Sequence, residues 1–291
     1  MLVSATAMLR AAERGHYGIA AFNTNNLEWT RSILTAAEQT QSPVIVQCTS
    51  GAAKWQTSFK VVSEIVHTLT ETMGITVPVA LHLDHGTYED CFTCIDAGFT
   101  SIMYDGSKEP DFETNLARTA ELVKVAHAKG LSIEAEVGGI GGVEDGVASL
   151  GEVADPAQCL AIAQTGVDFL ACGIGNIHGL YPANWAGLQF DVLAAIKEKV
   201  GDLPLVLHGG TGIPTDQVQK AISMGVAKIN VNTDLQVAFA KATRAYIEAG
   251  LDQQGKGYDP RKLLKPGFEA IVARAEELIR TFGSDGKGWA A

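Results

Sequence analysis

Long apolar runs, a surplus of basic charge and a paired cysteine framework are all missing from this 291-residue chain. Each absence excludes a class of protein. The longest stretch without Asp, Glu, Lys or Arg, Phe169–Phe190, holds Asn176, His178, Pro182, Asn184 and four glycines, so it does not read as a bilayer span. The opening Met1-Leu-Val-Ser-Ala-Thr lacks a cationic flank and an apolar core and does not read as a signal peptide. Basic residues number 22 against 33 acidic ones, a net charge of −11, which argues against a nucleic-acid partner and an anionic membrane surface. An anionic ligand would therefore need positive potential built locally at one site. The five cysteines (Cys48, Cys91, Cys94, Cys159, Cys172) include one CxxC pair and no second pair to complete a structural zinc site. They read as thiols in a reducing cytosol, and a cytoplasmic location is expected.

What is present suits a large folded core. The chain is 46% hydrophobic and 19% charged, outside the composition of disordered chains. Its mass predicts that about 73% of the unfolded surface is buried. Short β-branched runs alternate with amphipathic segments throughout. Strands are expected at 18–22, 43–48, 77–83, 99–104, 131–137, 167–172, 203–208 and 226–231. Helical patterns lie between them, and Pro156 and Pro214 mark helix starts. Apolar runs joined by crossovers of a dozen or more residues mean parallel strands buried on both faces. Eight such units suit a closed (β/α)8 TIM barrel. The open alternative would carry Gly-x-Gly-x-x-Gly after its first strand, and Gly18-Ile-Ala-Ala-Phe-Asn-Thr-Asn does not. One barrel domain is expected over 1–291, with residues from about 258 as a C-terminal helical extension ending in glycines.

In such a barrel, reactive groups belong at the C-terminal strand ends and the loops beyond them. That rule selects few residues. His85, His178 and His208, three of the seven histidines, fall at strand tops, as do Asp84, Asp105 and the pair Glu134 and Glu136. Three imidazoles with one open position form the ligand set of a catalytic zinc. Their wide separation in sequence makes sense only if barrel closure gathers them; otherwise they are ordinary polar groups at loop starts. Asp105 and Glu136 read either as orienting partners of the ligands or as ligands of an alternative metal position. His82 reads as a supporting core group, while His16, His67 and His127 fall on helices or their ends. Gly179, Gly209-Gly210-Thr211-Gly212 and Asn230–Thr233 follow the sixth, seventh and eighth strands. Backbone N–H groups there, with a helix N-terminus behind them, can hold a phosphate without net positive charge. Lys228 reads as a barrel-lining cation, with a Schiff-base nucleophile as the alternative. The loop Gly138–Gly146 places Glu144 between glycines, the pattern of a mobile loop that carries a carboxylate over a site.

Leu83-Asp84-His85-Gly86, Glu134-Ala-Glu136-Val-Gly138, Gly141-Gly-Val-Glu144-Asp-Gly146, His178-Gly179, His208-Gly-Gly-Thr-Gly-Ile-Pro214, Lys228-Ile-Asn-Val-Asn-Thr-Asp234 and Tyr258-Asp-Pro-Arg261-Lys262 together resemble the class II, metal-dependent fructose-bisphosphate aldolases. The resemblance runs in order along essentially the whole chain. It implies a homodimer or homotetramer that reversibly joins dihydroxyacetone phosphate to an aldehyde through a metal-stabilised enediolate. By resemblance, Zn2+ falls on His85, His178 and His208, a second metal position on Asp105 and Glu136, and Na+ or K+ near the glycine loops. Asp84 matches the acid that serves the aldehyde oxygen, and Glu144 the loop base. Gly179, Gly209, Gly210, Thr211, Asn230, Val231, Asn232 and Thr233 match the groups that bind the ketone phosphate. Thr49 stands where a hydroxyl serves the aldehyde, and Arg261 matches the cation that meets a second phosphate. Asn230 would also donate a hydrogen bond to the developing charge. Departures fall at Cys48-Thr49-Ser50-Gly51, where a Ser-Glu-Gly type sequence is usual, and at Gly139, where a larger residue is. Fructose 1,6-bisphosphate is the expected substrate. The alternatives are tagatose 1,6-bisphosphate, 2-deoxy-5-keto-6-phosphogluconate, Schiff-base chemistry, or a barrel that binds metal or sugar phosphate without turnover.

Overall fold

Alternation along short strands decides the architecture, because inward and outward residues must both be covered. In the computed structural model, which describes residues 2–144, 147–149 and 151–288, eight parallel strands close into a barrel. Around the ring they are β1 (Ile19–Asn23), β2 (Val44–Cys48), β3 (Val79–Gly86), β4 (Ser101–Tyr104), β5 (Ser132–Val137), β8 (Phe169–Cys172), β10 (Leu205–Leu207) and β11 (Val226–Val231), which pairs back with β1. Each lies within about two residues of its expected bounds at the N-terminal side. The exception at the other end is β3, which runs on to Gly86 and so carries Asp84 and His85 within the strand.

Around the barrel lie α2 (Leu27–Gln39), α4 (Phe59–Thr72), α5 (Tyr88–Ala97), α6 (Phe112–Ala128), α7 (Pro156–Ala163), α8 (Phe190–Val200), α9 (Thr215–Ser223) and α10 (Thr233–Glu248). Local chemistry fixes their ends. Thr87 and Asp90 form a reciprocal capping box on α5, and Gly98 ends that helix at φ +94°, a left-handed value that suits glycine. Asp155 caps α7 with Pro156 in its first turn, as the sequence suggests. Beyond α10, the short α11 (Pro260–Leu263) leads into α12 (Lys265–Phe282), which packs against α2 and α10. Among the described residues, no helix is long and apolar enough to cross a membrane.

Two elements depart from the expected pattern. The helix α1 (Ala5–Gly15) precedes the barrel and buries Ala5, Met8, Leu9 and Ala12 among the inward-facing Ile19, Ala21, Ile45, Ala80, Phe169 and Val206. It closes one end of the barrel interior. Leu9→Ala is expected to cost about 2–5 kcal/mol, with a drop in Tm of several degrees by calorimetry. The second departure is at Gly138–Gly146, expected as a loop. There β6 (Gly141–Glu144) and β7 (Val147–Ser149) form an antiparallel hairpin, and β6 also pairs with β9 (Ile177–His178). Asp145 and Gly146 lie outside the described residues, as does the side chain of Glu144. The short α3 (Ser50–Trp55), capped by Thr49, completes the helices.

Candidate metal centre and active site

The inward face of the strands is apolar at the α1 end and polar at the other. On β3 the inward series is Ala80, His82, Asp84; on β5 it is Ser132, Glu134, Glu136; on β11 it is Lys228 and Asn230. All eight are buried. At the top of β3 the alternation breaks. His85 adopts φ +50°, and the pairing with β4 shifts register between Leu83 and Gly86. This left-handed step, tolerated by His better than by bulkier residues, lets the successive residues Asp84 and His85 both serve the barrel mouth.

The three expected histidines converge. Ring centroids lie 4.8 Å apart for His85 and His178, 4.6 Å for His85 and His208, and 5.9 Å for His178 and His208. One ligand nitrogen from each lies within 4.8 Å of the others, and the Nε2 atoms of His85 and His178 are 3.1 Å apart. Two protonated imidazoles could not sit so close. Burial, with the neighbouring His85 and His208, pushes the pKa of His178 down to about 3, and burial with His85 also lowers that of His208. Burial opposes the charged form of His85 too, but Asp105, Asp84 and Glu136 outweigh it and push its pKa up to about 10. Lone pairs and anionic charge thus meet at one point, which fits a divalent cation.

Asp105 and Glu136 flank the same ring. His85 Nδ1 lies 3.0 Å from Asp105 Oδ2 and 3.8 Å from Glu136 Oε2, and these three residues form a second group able to hold a metal. Both roles left open by the sequence, orienter and ligand, remain compatible with this geometry. Lys108 joins the cluster, its Nζ 2.7 Å from Asp105 Oδ2. Burial favours neutral Asp105, but hydrogen bonding to His85 and the charges of His85 and Lys108 hold it well below the usual carboxylate range. Burial and Asp105 raise Glu136 to about 8, and its Oε2 is buried without a hydrogen-bond partner. An additional cation there would satisfy it.

Asp84 is set apart from this second group by its donors. Asn23 Nδ2 (2.8 Å) and Gln47 Nε2 (3.1 Å) donate to Oδ2, and Asn230 Nδ2 (3.1 Å) donates to Oδ1. Burial would raise its pKa, yet His85, His208, Lys228 and Asn23 hold it below the usual range. A fixed carboxylate therefore stands beside the imidazoles. Asn23 and Gln47 are site residues that the sequence reading does not select. Gln47 does leave a trace there, as the one amide in the buried run Val-Ile-Val-Gln-Cys.

Asn23, Asp84, His178, Gly179, Gly209 and Thr211 line a small cleft, completed by Asn230 and Asn232. At Gly209 (φ +64°) a Cβ would overlap the Ile177 carbonyl, so only glycine lets the two turns close together. Asn232 caps α10 without a side-chain bond, and Thr211 Oγ1 accepts the Asp234 N–H at 3.2 Å. Gly210, Val231 and Thr233 adjoin this cleft in sequence but are not among its lining residues. The Gly210 N–H is already engaged by the Asn230 carbonyl at 2.8 Å. Thr49 Oγ1 accepts from Ala52 N at 3.2 Å as the α3 cap and lies outside the cleft lining. Arg261 is likewise elsewhere: it lines a separate surface groove with Arg31, Lys265 and Phe268, and its guanidinium meets Asp259 at 2.6 Å.

The β6 hairpin bears directly on one histidine. Gly142 pairs with His178, and at φ +95° a Cβ there would overlap the His178 carbonyl oxygen. Gly142→Ala is expected to displace both His178 and the strand leading to Glu144. A misplacement near 1 Å can cost about 100-fold in rate. A fall in kcat of that order is expected, with an unchanged far-ultraviolet circular dichroism spectrum.

Residues 3–287 match the class-II fructose-bisphosphate aldolase family. The chain belongs to that family. A fructose-bisphosphate aldolase of Streptococcus pyogenes serotype M3 is 54% identical over 292 aligned residues, covering 98% of this chain and 99% of its own length. One from Mycoplasma pneumoniae is 50% identical, covering 99% and 100%. The crystal structure of the YdjI aldolase of Escherichia coli K12 superposes with a TM-score of 0.84 at 35% identity, covering 99% of this chain and all of its own. The barrel is thus that of a class II aldolase, a carbon–carbon lyase of a family that is generally metal-dependent.

Proposed function

We propose that this enzyme reversibly cleaves fructose 1,6-bisphosphate to dihydroxyacetone phosphate and glyceraldehyde 3-phosphate, with Zn2+ held by His85, His178 and His208. The observation carrying this reading is the convergence of the three imidazoles, distant in sequence, beside a glycine-lined cleft. The bound ion would supply Lewis-acid stabilisation of negative charge on the ketone oxygen.

The chain's own residues do the rest. Asp84, kept ionised and oriented by three amide donors, accepts the hydroxyl proton as the carbon–carbon bond breaks, and returns it to the aldehyde oxygen in the reverse direction. Glu144 moves the proton at the carbon that the cleavage leaves bearing charge. Asn230, next to both Asp84 and His208, donates a hydrogen bond to the developing oxyanion. Gly179, Gly209, Thr211 and Asn232 hold the ketone phosphate at the α10 N-terminus, using their backbone and side-chain donors; Gly210, Val231 and Thr233 belong to this set by resemblance. This grip aligns the reacting carbons, and the net charge of −11 is no obstacle to it. Thr49 serves the aldehyde portion. By resemblance, Asp105 and Glu136 would provide a second metal position, and Na+ or K+ would be held near the glycine turns.

Arg261 belongs to the second phosphate, reached across a subunit interface of a homodimer or homotetramer; its side chain is 88% exposed in the single chain. Cys159 and Cys172, buried with Sγ atoms 4.0 Å apart, suit a reducing cytoplasm. The Schiff-base alternative lacks support, because Lys228 is fully buried with its Nζ 2.8 Å from Glu134 Oε2. Comparison of kcat/KM on fructose 1,6-bisphosphate, tagatose 1,6-bisphosphate and 2-deoxy-5-keto-6-phosphogluconate tests the substrate. The highest value is expected for the first, and a higher value on either of the others would reassign it.

A further inference from the structure

A buried ionic group lies beneath the three histidines and has no part in the steps above. Glu134 is fully buried at the centre of β5. Its Oε1 lies 2.9 Å from His208 Nε2, and its Oε2 lies 2.8 Å from Lys228 Nζ and 3.3 Å from His82 Nε2. His82 is held in turn by its Nδ1, 2.7 Å from Ser101 Oγ, which also receives the Ser132 hydroxyl at 2.8 Å. Four strands therefore contribute to fixing one carboxylate: β3, β4, β5 and β11.

We infer that Glu134 is the positioning residue for His208, and that Lys228 serves as its fixed counter-charge. A carboxylate accepting from Nε2 selects the tautomer whose proton is on Nε2 and whose lone pair is on Nδ1. His85 is arranged the other way round, with Nδ1 taken by Asp105 and Nε2 facing His178. The site thus presents opposite nitrogens from two of its imidazoles. Lys228 Nζ is the cation nearest this carboxylate, and both side chains are fully buried, so the pair shares one water-free pocket. Lys228 keeps the orienting group anionic; that gives this buried lysine a function without covalent chemistry. The inference rests on the proposed role of His208 as a zinc ligand.

Removing either partner alone would strand a buried charge and risk the fold, so paired substitutions are the useful test. Glu134→Gln with Lys228→Met removes both charges but leaves a carbonyl acceptor for His208. Glu134→Leu with Lys228→Met removes the acceptor as well. Zinc affinity is measured on protein stripped of metal, by competition with a chromophoric chelator. Loss of an orienting partner typically weakens metal binding by about 10–100-fold. A loss in that range is expected for the Leu/Met pair, with the Gln/Met pair within several-fold of wild type. Equal affinity in all three proteins, or an equal loss in both variants, overturns the inference. Should the Leu/Met protein fail to fold, nitrogen-15 spectra of zinc-loaded wild type decide. They are expected to show His208 coordinated through Nδ1 with its proton on Nε2; coordination through Nε2 overturns the inference. Failure of wild type to bind zinc would instead remove the metal-site reading itself, which separates the two failures.

Discussion

Alanine at position 208 is expected to lower kcat/KM for fructose 1,6-bisphosphate by about 1,000-fold or more. Lewis-acid stabilisation is worth several kcal/mol, and each 1.4 kcal/mol is about tenfold in rate. His208 cannot be replaced locally. It leaves β10 with its ring 4.6 Å from that of His85, and among the described residues the remaining group able to hold a metal, His85 with Asp105 and Glu136, presents different donors. Bound zinc should fall in parallel, read by elemental analysis after dialysis. The substitution leaves Glu134 paired with Lys228, so the fold should survive. Retention of activity within tenfold would remove His208 from the centre.

Asp84→Ala should separate chemistry from metal binding. The carboxylate does not belong to either group able to hold a metal, so zinc content should stay near that of wild type. Its proposed work is proton transfer, typically worth about 100- to 10,000-fold. The fall should appear in kcat with little change in KM, because the cleft proposed to hold the phosphate keeps Gly179, Gly209, Thr211 and Asn232. Alanine is a better probe than asparagine here. Asn23, Gln47 and Asn230 all direct amide donors at the carboxylate, and an amide nitrogen at position 84 would face like groups. Loss of zinc along with activity would instead make Asp84 part of the metal centre.

Much of this site is legible in the sequence because barrels place chemistry by a rule. Strand tops are recognisable from hydrophobic runs, so His85, His178 and His208 can be assembled with no local motif linking them. The order of the eight barrel strands follows from the same runs. What the runs do not encode is contact through the barrel interior. Glu134 and Lys228 each stand out as charges within apolar strands, yet their mutual 2.8 Å contact depends on how β5 and β11 face one another across the barrel. The left-handed step at His85 breaks the two-residue period, so alternation alone would send Asp84 and His85 to opposite sides. The hairpin β6–β7 hides in a glycine-rich segment because its pairing partner, Ile177–His178, lies beyond an intervening helix and strand. The helix α1 is not among the elements expected from the sequence, and its role shows only in the barrel end it covers. Thr49 and Arg261 rest on family resemblance, since neither lines the cleft of the single chain.

X-ray absorption at the zinc edge of the loaded enzyme addresses the central claim most directly. Imidazole scattering from three nitrogens at about 2.0–2.1 Å is expected, reduced by one imidazole in the zinc that His208→Ala takes up from excess metal without dialysis. A sulfur shell at about 2.3 Å, or an imidazole count unaffected by that substitution, would contradict it.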